Sequence, residues 1–457
     1  MRYKISGCLL ILVLTGCLHG YTPAPSNTSI LPIKTLTPPF FISSAVPSTL
    51  IVNTFTPTPI PSTITPTPSP TPPPEVMRYL RFEISDHLPI SAVVTGTIVL
   101  SGNYIFQYNP PDKNFEADSY FLNMKTGEKI IFSPKGDRSL MHFAVSLNQQ
   151  WLAIEKVNRD PVPLSIIIMT AKGQTYTTIT EERDWGGFEW LDDKQLIIDR
   201  NIRKEEENSE KGFAGYFSLI LLNPFTSHQM ELRPEYPGIF SYDPMYTWSH
   251  NMIFNSTLTR VVYPNSESGP SILLWDIQAG KKIVRLHFGE SPEWSPNGKR
   301  LAWVVDVGPD YRNPLYSAQE FFIVNQDGQI TRLTHMTDYL HYVSISSYSW
   351  SPDGHYIAFW MITGENNPIQ LAVVDTLTSQ VIVYPINANF TDIFGPNYLV
   401  LTNDTAPIWS PDGEQLLVVT FDPKDETRNL VVLVDIVKNY AAMIIENMIP
   451  VGWMRGP

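Results

Sequence analysis

A five-residue turn headed by tryptophan recurs along the chain: Trp294-Ser295-Pro296-Asn297-Gly298, Trp350-Ser351-Pro352-Asp353-Gly354 and Trp409-Ser410-Pro411-Asp412-Gly413. Short apolar runs follow it, Leu301–Val305, Tyr356–Trp360 and Gln415–Thr420, and the tryptophans stand 56 and then 59 residues apart. Repeats at this period belong to propellers, solenoids or arrays, because one unit cannot bury its apolar faces alone. Within each unit proline presets φ, Asn-Gly or Asp-Gly supplies the positive φ of a tight hairpin, and the apolar run pairs back. The expected unit is therefore strand, turn, strand.

Weaker copies extend the series upstream. Val145-Ser146-Leu147-Asn148-Gln149 precedes Trp151–Lys156, Trp190-Leu191-Asp192-Asp193 precedes Gln195–Arg200, and Trp248-Ser249-His250-Asn251 precedes Met252–Thr257. A second mark, an apolar strand ending in Asp or Asn and then a turn, follows in register. It reads Leu122–Gly127, Leu222–Ser227, Trp275–Gly280, Val324–Gly328, Val374–Ser379 and Val434–Asn439, with Met169–Gly173 as a degenerate member. Seven such marks predict an all-β fold of seven four-stranded blades; six blades after an irregular first segment is the alternative. Val451-Gly452-Trp453-Met454 carries a tryptophan without the rest of a unit. It is expected to complete the first blade and shut the ring, which removes exposed sheet edges.

The Trp-Ser-Pro-Asp-Gly turns with a following Leu-Ala or Ile-Ala strand resemble the repeat of TolB-type β-propellers, the WD40-like PD40 repeat, over about residues 95–457. Similar blades occur in the propellers of prolyl-oligopeptidase-type peptidases. The resemblance implies four-stranded blades around a central channel. It does not extend to the additional N-terminal domain of TolB, so a Tol–Pal role does not follow.

The first residues carry a different signal. Arg2 and Lys4 precede a short apolar stretch, Cys8–Leu14, too short to span a bilayer but suited to a signal peptide. Leu14-Thr15-Gly16-Cys17 then resembles the lipobox of bacterial lipoproteins, which implies a signal peptide over 1–16 and lipid on Cys17. Several acyl chains on one residue give stable anchoring. Residues 17–77 are rich in Pro, Thr and Ser, peaking at Thr56–Pro74, and read as a disordered polyproline spacer before a propeller over 78–457. At about 3.1 Å per residue it reaches on the order of 150 Å. The expected location is the cell envelope, outside the cytoplasm, with the membrane met through the N-terminal lipid.

Charge and motif content narrow the function. The net charge is −13, a surface that repels nucleic acid, whose binding rests on Lys and Arg neutralising phosphates. No Gly-x-Ser-x-Gly elbow, His-Glu-x-x-His, P-loop, dinucleotide fingerprint or Cys-x-x-Cys is present, so no catalytic residue, cofactor or metal is assigned. Of nine histidines only His335 and His341 share one loop, a weak metal signal.

If the tryptophan strand is innermost, its turns lie on one face of the disc. The second-to-third-strand loops and blade connections then lie on the other. Long segments fall in the latter class: Asn201–Gly212, Gly308–Gln319, His335–Ser349, Thr363–Pro368, Ile386–Pro407 and Asp422–Arg428. Binding is expected there, with Asp310, Tyr311 and Arg312 in one cluster and Asp338, Tyr339, His341 and Tyr342 in another, since Tyr and Arg are favoured at recognition hot spots. Trp190, Trp248, Trp294, Trp350, Trp409 and Trp453 are read as packing residues of the repeat, and Asn297, Asp353 and Asp412 as bonding their own backbone. The functional expectation is an envelope lipoprotein binding a protein, peptide or glycan. The alternatives are a propeller enzyme with carboxylates at the channel, or a scaffold for an envelope complex. Replacing Cys17 by Ser should move the protein from the membrane pellet to the soluble fraction on cell fractionation; a variant that stays with membranes refutes the anchor.

Overall fold

The computed structural model describes residues 76–89, 92–102, 117–135, 140–157, 164–181, 185–203, 215–232, 252–265, 271–287, 289–308, 317–364, 367–388, 406–422 and 425–456. The segment 1–75, with Cys17 and the spacer, lies outside them, as do Trp248 and Asp310, Tyr311 and Arg312.

Two short strands, β1 (Met77–Tyr79) and β2 (Ile84–Ser85), precede the ring. Blade 1 holds β3 (Thr97–Ser101), β4 (Ser119–Asn123) and β5 (Lys129–Ser133). Blade 2 holds β6 (Leu140–Val145), β7 (Trp151–Val157), β8 (Leu164–Thr170) and β9 (Thr175–Glu181). Blade 3 holds β10 (Trp185–Trp190), β11 (Leu196–Arg203), β12 (Gly215–Asn223) and β13 (His228–Leu232). In blade 4 come β14 (Ile253–Phe254), β15 (Arg260–Asn265), β16 (Ser271–Asp276) and β17 (Lys281–His287). In blade 5 come β18 (Glu290–Trp294), β19 (Arg300–Asp306), β20 (Gln319–Asn325) and β21 (Ile330–Arg332). Blade 6 is β22 (Ser344–Trp350), β23 (Tyr356–Ile362), β24 (Gln370–Asp375) and β25 (Val381–Asn387). Blade 7 is β26 (Ile408–Trp409), β27 (Gln415–Asp422), β28 (Asp425–Asp435) and β29 (Tyr440–Glu446), and the last strand is β30 (Ile449–Met454). β30 pairs antiparallel with β3, opposite β4, so the end of the chain supplies the first strand of blade 1 and shuts a seven-bladed ring.

The core is a circle of apolar layers, each between two consecutive blades. Strand β23 shows how period-two alternation builds them. Ile357, Phe359 and Met361 pack with Phe321 and Val304 of blade 5, whereas Ala358 and Trp360 pack with Leu416 and Val432 of blade 7. Both faces of the strand are buried, which explains the unbroken apolar run in the sequence.

The repeated tryptophan is a bolt between neighbours. Trp350 Nε1 donates to Glu293 O (3.2 Å), Trp409 Nε1 to Ser349 O (3.2 Å), Trp294 Nε1 to Ile253 O (3.0 Å) and Trp190 Nε1 to Ala144 O (3.0 Å). In each case the acceptor is the residue just before the equivalent position of the preceding blade. Trp453, at the closure, donates to Thr95 O (2.9 Å) instead. The serine of the turn then locks the hairpin. Ser351 Oγ donates to Asp353 Oδ1 (2.5 Å) and accepts from Tyr356 N (2.9 Å), and Ser295 and Ser410 repeat the pattern. Gly354 and Gly413 sit at φ +73° and +75°, in the left-handed region that the turn requires.

Three details of the sequence reading are corrected. In blade 4 the turn is Phe254-Asn255-Ser256-Thr257-Leu258, so Phe254, not Trp248, precedes the turn, and 252–257 is not the second strand. Asn255 replaces serine, its Oδ1 accepting from Thr259 N and Arg260 N (both 2.9 Å), and Leu258 takes the glycine place at φ +52°. Secondly, Asp422–Arg428 is largely strand, since β27 and β28 continue as a long hairpin. Arg428 Nη1 meets Asp422 Oδ2 (3.1 Å), and its Nη2 meets Glu446, so the charges that suggested a loop brace a ladder. Thirdly, the expected boundary at 78 falls inside β1, which adds a fifth strand parallel to β25, while β2 does the same beside β29. Two and three residues carry no periodicity, which hid both.

Trp350→Phe keeps the ring packing but removes the indole bond to the Glu293 carbonyl. It should cost about 1–2 kcal/mol, read from the urea midpoint at unchanged slope; an unchanged midpoint would show that the indole bond contributes nothing.

Candidate functional site

The chain path sends every inner strand toward the tryptophan-turn face, so blade connections and second-to-third-strand loops share the opposite face. Two long segments meet there at the junction of blades 5 and 6. Ala318 forms a parallel bridge with Val343, Gln319 N donates to Val343 O (2.9 Å), and Val343 N donates to Ser317 O (2.9 Å). Gln319 Oε1 also accepts from Ile345 N (2.6 Å). The base of the 308–318 insertion is thereby seated against the 335–343 connection.

A buried carboxylate fixes that connection. Glu320, fully buried at the start of β20, receives Arg332 Nη2 (2.8 Å), Thr337 N (2.7 Å) and Thr337 Oγ1 (2.8 Å) on Oε1, and the Thr334 hydroxyl on Oε2. Thr334 Oγ1 in turn accepts from Phe321 N (2.9 Å). Arg332 Nη2 also reaches Asp338 Oδ1 (3.1 Å), whose other oxygen faces His335 Nδ1 (3.4 Å). Burial pulls the Arg332 guanidinium down, but its bonds to Glu320 and Asp338 outweigh that and hold it above its ordinary value. A carboxylate taken out of water survives only with such partners.

The result is a rigid 3-10 turn, Met336–Asp338, with Met336 sunk in the core between blades 5 and 6. Tyr339 follows, 61% exposed, its N–H donating to Met336 O (3.0 Å). Of the residues expected to bind, Asp338, Tyr339, His341 and Tyr342 thus share this connection. Asp338 turns toward Arg332, Tyr339 and His341 are exposed, and Tyr342 is half-buried. Glu320, Arg332, Thr334 and Thr337 were not anticipated. The available signal was an acid heading the apolar run Phe321–Val324.

A second feature lies on the inner strands. Glu189 of β10 and Glu293 of β18 each directly precede a repeat tryptophan and feel one another's charge. Burial, with the charge of Glu189 adding to it, pushes the Glu293 carboxyl up to about 8. Beside it, the Tyr348 hydroxyl donates to Ala302 O (2.9 Å) and to Ser291 O. Burial, together with the charge of Glu293, raises that phenol well above its ordinary value. Burial also raises Glu155, against the opposing pull of His142, whose Nε2 contacts Phe188 O (3.0 Å). Among the described residues, no group of three His, Cys, Asp or Glu side chains is placed to hold a metal.

No protein-family model matches the chain, and no curated protein matches it by sequence. Among solved structures it is similar to an oligogalacturonate lyase from Vibrio parahaemolyticus, at 12% identity over 77% of this chain and 87% of that one, with a TM-score of 0.45. It is also similar to a Pseudomonas aeruginosa periplasmic gluconolactonase, at 12% identity over 79% and 99% with a TM-score of 0.43. A putative TolB from Agrobacterium tumefaciens matches at 17% identity over 61% and 87% with a TM-score of 0.33.

The raised Glu293 gives stability a definite pH slope. Between the ordinary glutamate range and about 8 the folded chain binds the extra proton, so stability falls as pH rises through that window and levels off above it. Glu293→Gln should flatten this slope and stabilise the protein at pH 8.5 by on the order of 2–4 kcal/mol, measured by urea unfolding across pH. A variant with the parental slope would show that Glu293 is ionised in the folded state.

Proposed function

We propose that the ring is a recognition module of the cell envelope, held by lipid on Cys17 and a proline-rich spacer, that binds a protein, peptide or glycan through the face bearing the 335–343 connection. The observation that carries this reading is the pairing of a fully buried Glu320 with an exposed Tyr339. An ordinary blade connection needs no buried carboxylate. One that must present an aromatic ring without losing loop entropy on binding benefits from such a scaffold. Ser317 and Gln319, hydrogen-bonded to Val343, border the same connection.

One observation favours a second reading, an enzyme acting on glycans or peptides. A carboxyl that holds its proton near neutral pH, coupled to a second carboxylate, is the arrangement from which acid–base catalysis is built. A single experiment separates the two. Full-length protein in detergent is immobilised and challenged with the envelope fraction, and a glycan and peptide panel is assayed for turnover. Recognition requires a retained component whose affinity falls about tenfold or more in Tyr339→Ala, while Glu293→Gln binds as the parent. Turnover lost in Glu293→Gln, with no retained component, overturns it in favour of the enzyme.

A further inference from the structure

On the tryptophan-turn face each hairpin leans on its neighbour. A Cβ added at Gly413 would lie 3.7 Å from Pro352 and 3.9 Å from Asp353 and Ser351 of blade 6, and one added at Gly354 would lie 3.6 Å from Arg300 and 3.8 Å from Ser295 of blade 5. The first residue of the second strand adds a seal. Arg300 Nη2 donates to Gly354 O (2.5 Å) and its Nη1 to Thr376 Oγ1 (3.2 Å), while Arg260 Nε donates to Gln326 O (3.2 Å).

Blade 1 breaks the pattern by its topology. Its first strand is β30 and its second is β3, so no hairpin joins them and one turn is missing from the circle. The corresponding second-strand residue is Thr97, too short to reach the next blade. Among the described residues Gln149, from the turn of blade 2, leans across: its Nε2 donates to Trp409 O (3.1 Å), and its carbonyl accepts from Arg455 N (2.8 Å). What remains is a cavity of about 470 Å³ lined by Thr95, Gly96, Asn123, Lys125, Pro411, Arg455 and Gly456.

The lining is basic. It holds two cations and no acid in a chain of net charge −13. Neither the Lys125 ammonium nor the Arg455 guanidinium forms an ion pair among the described residues. Asp412, next to Pro411, is turned into its own hairpin, accepting from Ser410 Oγ (2.5 Å) and Glu414 N (3.1 Å). Backbone closes in as well: at Gly96, φ +91°, an added Cβ would lie 2.4 Å from Met454 O. The volume is that of a small-molecule site.

We infer that this closure notch binds a compact oxyanion, a carboxylate or phosphate group, between Lys125 and Arg455. This is a site on the opposite face from the proposed recognition surface and independent of it. Charge-assisted bonds from a guanidinium and an ammonium suit such a group, and none of the lining residues is acidic.

Full-length detergent-solubilised protein, titrated calorimetrically with inorganic phosphate and with succinate against chloride at constant ionic strength, tests the inference. Saturable binding of either anion is expected, and the one that saturates names the group. Lys125→Gln and Arg455→Gln should each weaken it about tenfold without moving the ligand-free melting temperature, and Tyr339→Ala should leave it intact. If neither anion saturates, or both cationic variants bind as the parent, the inference is wrong.

Discussion

Each blade is apolar on both faces, and that constraint governs the rest of the structure. A single four-stranded sheet with Ile357, Phe359 and Met361 on one side and Ala358 and Trp360 on the other cannot exist in water by itself. It needs a neighbour on each side, those neighbours need neighbours, and only a closed circle satisfies all of them. The pairing of β30 with β3 is therefore what makes every other interface complete. The indole bonds of Trp190, Trp294, Trp350 and Trp409 add direction to this packing. Each ties one inner strand to the carbonyl of the previous one, and fixes the stagger between blades that burial alone leaves free.

The two faces of the disc differ for the same reason. Turns on the tryptophan side touch one another, as Gly354 does beside Ser295, so side chains and insertions there are constrained by the adjacent blade. The opposite face carries connections that need only span two strands, so length and composition vary without disturbing the core. Blade 5 shows how a connection on this side is held: Glu320 binds Arg332 and Thr337, while Met336 of the same connection sits in the core.

Much of this was legible in the chain, for identifiable reasons. Trp294, Trp350 and Trp409 announce the blades because turn chemistry, strand period and core packing all fall on the same few residues. Blade 4 was misread by six positions because Phe254, Asn255 and Leu258 perform the same roles with different side chains, while Trp248 supplied a decoy. Asn255 shows that the requirement is an acceptor for the amides at the start of the next strand, not serine as such. The Glu320 cluster was invisible because its members, at 320, 332, 334 and 337, are brought together by the pairing of β20 with β21 and by the turn after it, and carry no local spacing. The fifth strands β1 and β2 were hidden for a similar reason, since parallel pairing at an outer edge asks nothing of side-chain pattern.

Repeat proteins make function visible by contrast. Where all local rules agree, as in blade 6, the residues are accounted for by packing and turn geometry. Departures stand out at three places: a buried acid in β20, a proton-holding glutamate before Trp294, and the blade whose first hairpin is cut by the chain ends. The third is unavoidable in any ring closed by its own terminus, since joining the last strand to the first removes one turn. Topology alone makes an opening there; it does not make the opening basic. In a chain with 45 acidic and 32 basic residues, a cavity bounded by Lys125 and Arg455 and by no carboxylate runs against the composition of the whole. Arg455 contributes its backbone amide to the seam, and among the described residues neither its guanidinium nor the Lys125 ammonium forms an ion pair there.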